Sequence, residues 1–161
     1  MKNKYEYSFT NEEKENFTLL LKEKLMNVPQ WNMVNIIIVP ETSNLLLKDF
    51  LFSTNKNIIF LKKNNKQYIV EEIKKQNMMK SEAKKLLLTL DDMKTVKIAD
   101  IAGNQRKRFQ NCLFQPLNIN IMDNDIIFLD DSLFSGNTFL AAQQMLKNFN
   151  ITNIILFNKN V

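Results

Sequence analysis

An apolar run, Ile126-Ile127-Phe128-Leu129, leads directly into two carboxylates, Asp130 and Asp131. Ser132-Leu133-Phe134-Ser135-Gly136-Asn137-Thr138 follows and opens a helical pattern. Hydroxyls, exposed backbone N–H groups and a helix N-terminus together make a phosphate cradle. Gly136, one of only two glycines in the chain, would let the backbone approach a phosphate closely. Carboxylates beside such a cradle can each accept a hydrogen bond from a sugar hydroxyl. The ligand these residues suit is a sugar 5-phosphate with its ring hydroxyls free. The same residue types also build an ordinary strand-to-helix turn, with Asp131 or Ser132 near the helix cap. On these residues alone both readings stay open.

Composition removes other chemistries. The chain has no histidine, so it can hold no Ser-His-Asp triad, no Cys-His pair and no imidazole metal site. Any metal must take oxygen ligands, which means magnesium-like chemistry. A single cysteine, Cys112, forms no internal disulfide and suits a cytoplasmic setting. No run approaches the roughly 20 apolar residues of a membrane span. The polar stretch from Met1 to Tyr7 and the charged one from Asn11 to Glu15 do not resemble a signal peptide. No membrane partner is expected. The net charge is +5, carried by lysines from Lys2 to Lys159. That pattern reads as a solvated lysine surface, with a nucleic-acid partner left open.

The elements that must position the acid pair follow from periodicity. At 161 residues with 45% apolar content, the chain is long enough for one domain with one core. Residues 1–34 form an N-terminal helical element. Thr10-Asn11-Glu12-Glu13 is a capping box, and Phe17, Leu21 and Leu25 give that helix a buried face. Pro29 ends it. Asn35 to Val39 and Asn57 to Leu61 are short apolar runs that read as buried parallel strands. A helix over Leu45 to Phe52 separates them. Residues 66–93 read as helical, with Leu86, Leu87, Leu90 and Met93 as a buried stripe. Val96, Ile98 and Ile101 suggest a further strand. Asp125 to Leu129 is a strand, about Asn137 to Phe149 a helix, and Ile151 to Phe157 the last strand. Strands alternating with helices define an α/β fold, an open parallel sheet flanked by helices with a Rossmann-like core at 35–161. Residues 66–118 are a helical insertion within it.

In open α/β sheets ligands bind beyond the carboxyl ends of the strands. The residues there are Glu41-Thr42-Ser43-Asn44 after the first strand and Lys62-Lys63 after the second. The only two arginines, Arg106 and Arg108, stand two apart in Gly103-Asn104-Gln105-Arg106-Lys107-Arg108-Phe109. Arginine suits forked phosphate recognition. A solvated surface turn, or a nucleic-acid contact with Phe109 stacking on a base, uses the same residues.

The ordered pattern from Ile126 to Thr138 closely resembles the phosphoribosyl pyrophosphate (PRPP) signature of type I phosphoribosyltransferases. Arg108, Asn111 and Phe114 repeat a spacing found upstream of that signature in the ComF-like members. The resemblance spans about 35–157 and does not reach the first 30 residues. It implies that Asp130 and Asp131 hold the ribose hydroxyls and, through the substrate, Mg2+. Ser132, Leu133, Phe134, Ser135, Gly136, Asn137 and Thr138 would surround the 5-phosphate. Glu41, Thr42, Ser43 and Asn44, with Lys62 and Lys63, would face pyrophosphate. Arg106 and Arg108 would ride a mobile loop that closes over the substrate. The implied activity is transfer of the 5-phosphoribosyl group from PRPP to a nucleobase-like acceptor. Residues 1–34 or 66–118 would supply the hood over that acceptor. A homodimer is implied by the habit of many relatives. Two positions depart from the family. Phe134 stands where a small or hydroxyl residue is usual, and Glu41 places a carboxylate in the pyrophosphate loop. These departures favour the alternative of a non-catalytic module of the same fold that senses PRPP or a nucleotide, or binds nucleic acid.

Overall fold

A computed structural model describes residues 9–42, 44–117, 125–133 and 137–158. Four strands form one parallel sheet: β1 (Ile36–Pro40), β2 (Asn57–Leu61), β3 (Asp125–Leu133) and β4 (Asn150–Asn158). Their order across the sheet is β2-β1-β3-β4. Among the described residues six α-helices accompany them: α1 (Asn11–Met26), α2 (Pro29–Met33), α3 (Leu45–Phe52), α4 (Lys66–Lys75), α5 (Lys80–Asp91) and α6 (Asn137–Met145). The expected open parallel α/β architecture is what the chain adopts.

Every residue of β1 is buried, because the strand is covered on both faces. Its side chains alternate. Ile36 and Ile38 join Ile126 and Phe128 in one core with α4, α5 and α6, whereas Ile37 and Val39 join Ile127 and Leu129 in a second with α1 and α3. The crossover from β1 to β2 carries α3 over one face. The chain then returns past β1 to β3 and β4 with α4, α5 and α6 over the other face. Opposite directions across the sheet thus use opposite faces, as a single crossover hand requires.

Local signals account for most boundaries. Thr10 and Glu13 form the reciprocal capping box at the head of α1, and Leu21 and Leu25 are its buried stripe. Asn44 and Asn65 cap α3 and α4 through their side-chain oxygens. Lys66 Nζ donates to the carbonyls of Asp91 and Met93, 2.9 Å each. That contact ties the start of α4 to the end of α5, so the two helices run antiparallel.

The structure corrects several expectations. Pro29 does not merely stop α1, which ends at Met26; it occupies the first turn of α2, where its missing N–H costs nothing. β2 is a half-buried edge strand with only Leu61 fully enclosed. The helical stretch 66–93 is two helices separated at 76–79. Val96, Ile98 and Ile101 are buried as expected, yet they lie around a 3-10 turn, Ile98–Asp100, and not in a strand. β3 continues past Leu129 to Leu133 because β4 keeps pairing with it, through Leu133↔Asn158. α6 stops at Met145, with Leu146 still buried beyond it.

Candidate functional site at the carboxyl edge

The strand order reverses between β1 and β3: one neighbour of β1 follows it in the chain, and the other comes after the whole helical insertion. The helices leaving these two strands, α3 and α6, cover opposite faces. In open parallel sheets the carboxyl edge at such a switch point is where ligands bind. β1 and β3 pair at Ile37↔Ile127 and Ile38↔Phe128. Carried two residues further, that register sets Asp130 level with Pro40. Pro40 in turn pairs with Leu61, and Asp130 with Ile155. Glu41 and Lys62 accordingly leave the sheet level with Asp131 of β3.

Asp130 is half-buried at that edge. The backbones of Asp131, Ser132 and Leu133 belong to β3, and Ser132 pairs with Phe157. Ser132 and Leu133, expected around the phosphate, therefore lie in the strand. Phe134, Ser135 and Gly136 lie outside the described residues, as does Ser43. Asn137 opens α6 as one of two buried polar residues among those described, and Thr138 is half-buried behind it. Phe139 packs on Phe128 with ring centroids 5.4 Å apart. That contact anchors the first turn of α6 against the strand that carries the acids.

The loop after β1 is shaped by its own side chains. Glu41 N donates to Leu61 O at 2.9 Å, while its carboxylate side chain is exposed. Asn44 N donates to Thr42 Oγ1 at 3.0 Å, and Leu47 N donates to Asn44 Oδ1 at 3.1 Å. Asn44 thus gives its oxygen to α3.

The loop after β2 is fastened to a segment that sequence spacing did not connect to it. Lys63 and Phe114 form an antiparallel bridge. Asn64 Nδ2 donates to the carbonyls of Cys112 and Phe114, 2.9 Å each, and Asn64 N donates to Leu113 O at 2.8 Å. Gln115 N donates to Lys62 O at 2.9 Å. Lys62 is exposed and Lys63 half-buried. Gln110 Nε2 reaches Asn137 Oδ1 at 3.5 Å. Residues 110–115 therefore span from the head of α6 to the loop after β2. Asn64 and Gln110 are the positioning residues that sequence reading missed. Their one local signal is a carboxamide placed beside a strand end or a turn.

The two arginines engage the helical layer. Arg106 Nε donates to Ile101 O at 2.7 Å, and Arg108 lies 3.4 Å from the Glu82 carboxylate. Both belong to a 3-10 segment, Gly103–Phe109, whose Phe109 is fully buried. Phe109 therefore offers no face for base stacking.

Among the described residues no group of three or more acidic or cysteine side chains could cage a metal. Magnesium keeps several waters and binds through one or two carboxylates plus substrate phosphates. Asp130 and Asp131 in β3 are donors of that type. A cleft of about 540 Å³ opens at the opposite, amino edge, lined by Gln30, Met33, Asn35, Asp125, Asn150 and Thr152. Its described lining presents no cationic side chain.

The fold is an open parallel α/β sheet with a reversal of strand order between β1 and β3. No family model, no curated protein and no solved structure matches the chain. Among the described residues no helix is long and apolar enough to cross a membrane.

Proposed function

We propose that the chain is a magnesium-dependent phosphoribosyltransferase working at the carboxyl edge, between the loops after β1 and β3. One observation carries the reading. The acid pair lies in β3 beside the reversal of strand order, and α6 opens at Asn137, soon after that strand ends at Leu133. In the proposed reaction the bond between the anomeric carbon of PRPP and pyrophosphate breaks, and a bond to a nucleobase-like acceptor forms. Asp130 and Asp131 accept the ribose hydroxyls. Residues 134–136, with Asn137 and Thr138, surround the 5-phosphate. Lys62 and Lys63 neutralise the departing pyrophosphate, and the loop from Glu41 to Asn44 lies beside it. Mg2+, when bound with the substrate, offsets the charge of the pyrophosphate oxygens. The chain's own work is positioning and charge stabilisation.

Calorimetric titration of PRPP with and without magnesium tests the proposal. Binding that needs magnesium and disappears in the Asp130→Asn, Asp131→Asn variant supports it. No heat and an unchanged melting temperature would overturn it. A second reading keeps the site but removes the turnover: the same edge senses PRPP or a nucleotide. The pairing of Ser132 and Leu133 with β4, which takes two residues expected around the 5-phosphate into the sheet, favours it. Pyrophosphate release in the presence of candidate acceptors separates the two.

A further inference from the structure

The amino edge of the sheet gathers polar side chains that the proposed reaction does not use. Asp125 of β3 pairs with Asn150 of β4. The register Ile37↔Ile127, carried back two residues, sets Asn35 level with Asp125. Asn35, Asp125 and Asn150 therefore form one row across three adjacent strands, about 4.8 Å from strand to strand. Side chains alternate along a strand, and Ile37, Ile127 and Ile154 all join the core of α1 and α3. The row stands two or four residues before them and shares that face. Thr152, paired with Ile127, lies one step further in. The same face carries α2, whose Trp31 is buried against it. Gln30 and Met33 of that helix line the cleft together with the row. Asn150 Nδ2 donates to Asp125 Oδ1 at 3.0 Å, which orients the carboxylate within the row.

We propose that this cleft binds a neutral sugar through its hydroxyls. Its volume of about 540 Å³ falls in the range of small-ligand sites. A sugar hydroxyl both donates and accepts, and so does the row: the carboxylate accepts, the carboxamides of Asn35, Asn150 and Gln30 do both, and Thr152 adds a hydroxyl. Met33, 75% exposed, offers an apolar side chain to the C–H face of a ring. Other ligand classes fit less well. The described lining holds no cation for a phosphate or a carboxylate. Lys56, level with Asn35 on the side of β2, donates to the Val34 carbonyl at 2.8 Å and lies over the Trp31 ring. No aromatic ring is in the described lining, so a flat base finds no stacking surface. Trp31 stacks on Phe50 within the core. A diamine would meet a single carboxylate in a chain of net charge +5.

The test is titration of the isotope-labelled full chain with D-glucose, D-galactose, D-mannose and D-ribose, read by amide chemical shifts. With at least one of these sugars, saturable shifts are expected at residues 33–35, 125–127 and 150–152, with a dissociation constant on the order of 1 mM. Asp125→Ala and Asn150→Ala should each weaken that binding about tenfold, as the loss of a hydrogen bond made by a charged group does. Both side chains are exposed, so both variants keep the parent melting temperature. Absence of saturable shifts with all four sugars, or undiminished binding in both variants, would overturn the proposal. Shifts centred on residues 130–133 would also overturn it, because they place the sugar at the carboxyl edge. So would saturable binding of putrescine or guanosine at the amino edge in place of a sugar.

Discussion

Arg108 and Glu82 meet across the helical layer, with Arg108 Nη2 3.4 Å from both carboxylate oxygens. The pair joins the 3-10 segment Gly103–Phe109 to the first turn of α5, and Gln76 Nε2 donates to the Arg108 carbonyl at 2.7 Å. The residue that the family resemblance assigns to a closing loop is therefore held at both its side chain and its backbone. The side chains are 35% and 26% exposed, so solvent screens much of the attraction. A double-mutant cycle of Arg108→Gln and Glu82→Gln should give a coupling below about 1 kcal/mol. Arg108→Gln should also leave magnesium-dependent PRPP binding unchanged. A loss of binding would show that the guanidinium leaves Glu82 to reach the ligand.

Phe109 is the opposite case, a residue in a basic segment whose role is the core. It is fully buried beside Cys112, Leu113 and Phe114. Phe109→Ala should cost about 3–5 kcal/mol by cavity formation, read by urea denaturation. A change near zero would mean that the ring is solvated and free to stack.

Asn44 links the loop after β1 to α3. Its side-chain oxygen accepts from Leu47 N at 3.1 Å, which satisfies one of the open donors at the helix start. Asn44→Ala should cost about 1 kcal/mol, whereas Asn44→Asp should retain the cap. On the proposed function Asn44→Ala also weakens PRPP binding, because the loop loses its shape. Unchanged affinity in a destabilised variant would place pyrophosphate elsewhere.

Much of this architecture was legible in the sequence. The boundaries of α3 and β2 follow from short apolar runs closed by polar residues, and the capping box marks the start of α1. The parallel sheet was legible too, because β-branched runs such as Ile36-Ile37-Ile38-Val39 imply one. Other features were hidden for physical reasons. Val96, Ile98 and Ile101 show near-alternation, but burial on one side of a 3-10 turn demands the same residue types as a strand. β3 extends through Asp130 to Leu133 because of a partner strand twenty-five residues on, which local polarity cannot reveal. The clamp from Asn64 to Cys112 and Phe114 and the pair Arg108–Glu82 span 48, 50 and 26 residues. No spacing rule connects residues so far apart.

Glu13 gives the fold an acid-sensitive end. Its carboxylate accepts from Thr10 N at 2.8 Å and from Thr10 Oγ1 at 3.0 Å. The backbone hydrogen bond first, then the hydroxyl, holds its pKa below the ordinary value of 4.5. A folded pKa below the unfolded one means that this contribution is present above pH 4.5 and is lost as pH falls through the folded value. Glu13→Gln should therefore show a smaller loss of melting temperature on acidification than the parent. Equal acid limbs would mean that the capping box does not hold in solution.

Cys112 tests the packing around the candidate site directly. It is buried between Phe109 and Phe114, and its carbonyl accepts from Asn64 Nδ2 at 2.9 Å. Burial, with a smaller contribution from the negative charge of Glu72, pushes the thiol pKa up to about 11. At pH 8 only roughly one molecule in a thousand is then a thiolate, and the thiolate is the reactive form. Alkylation of the native protein should be slow and should become fast in denaturant. Asn64→Ala removes the clamp that ties 112–115 to the loop after β2, without touching Cys112 itself. It should raise the native alkylation rate through local opening, well before the global unfolding transition. If that variant protects the thiol as well as the parent does, Cys112 is enclosed by the core alone. Lys62 and Lys63 would then owe their position at the carboxyl edge to β2 and not to the clamp.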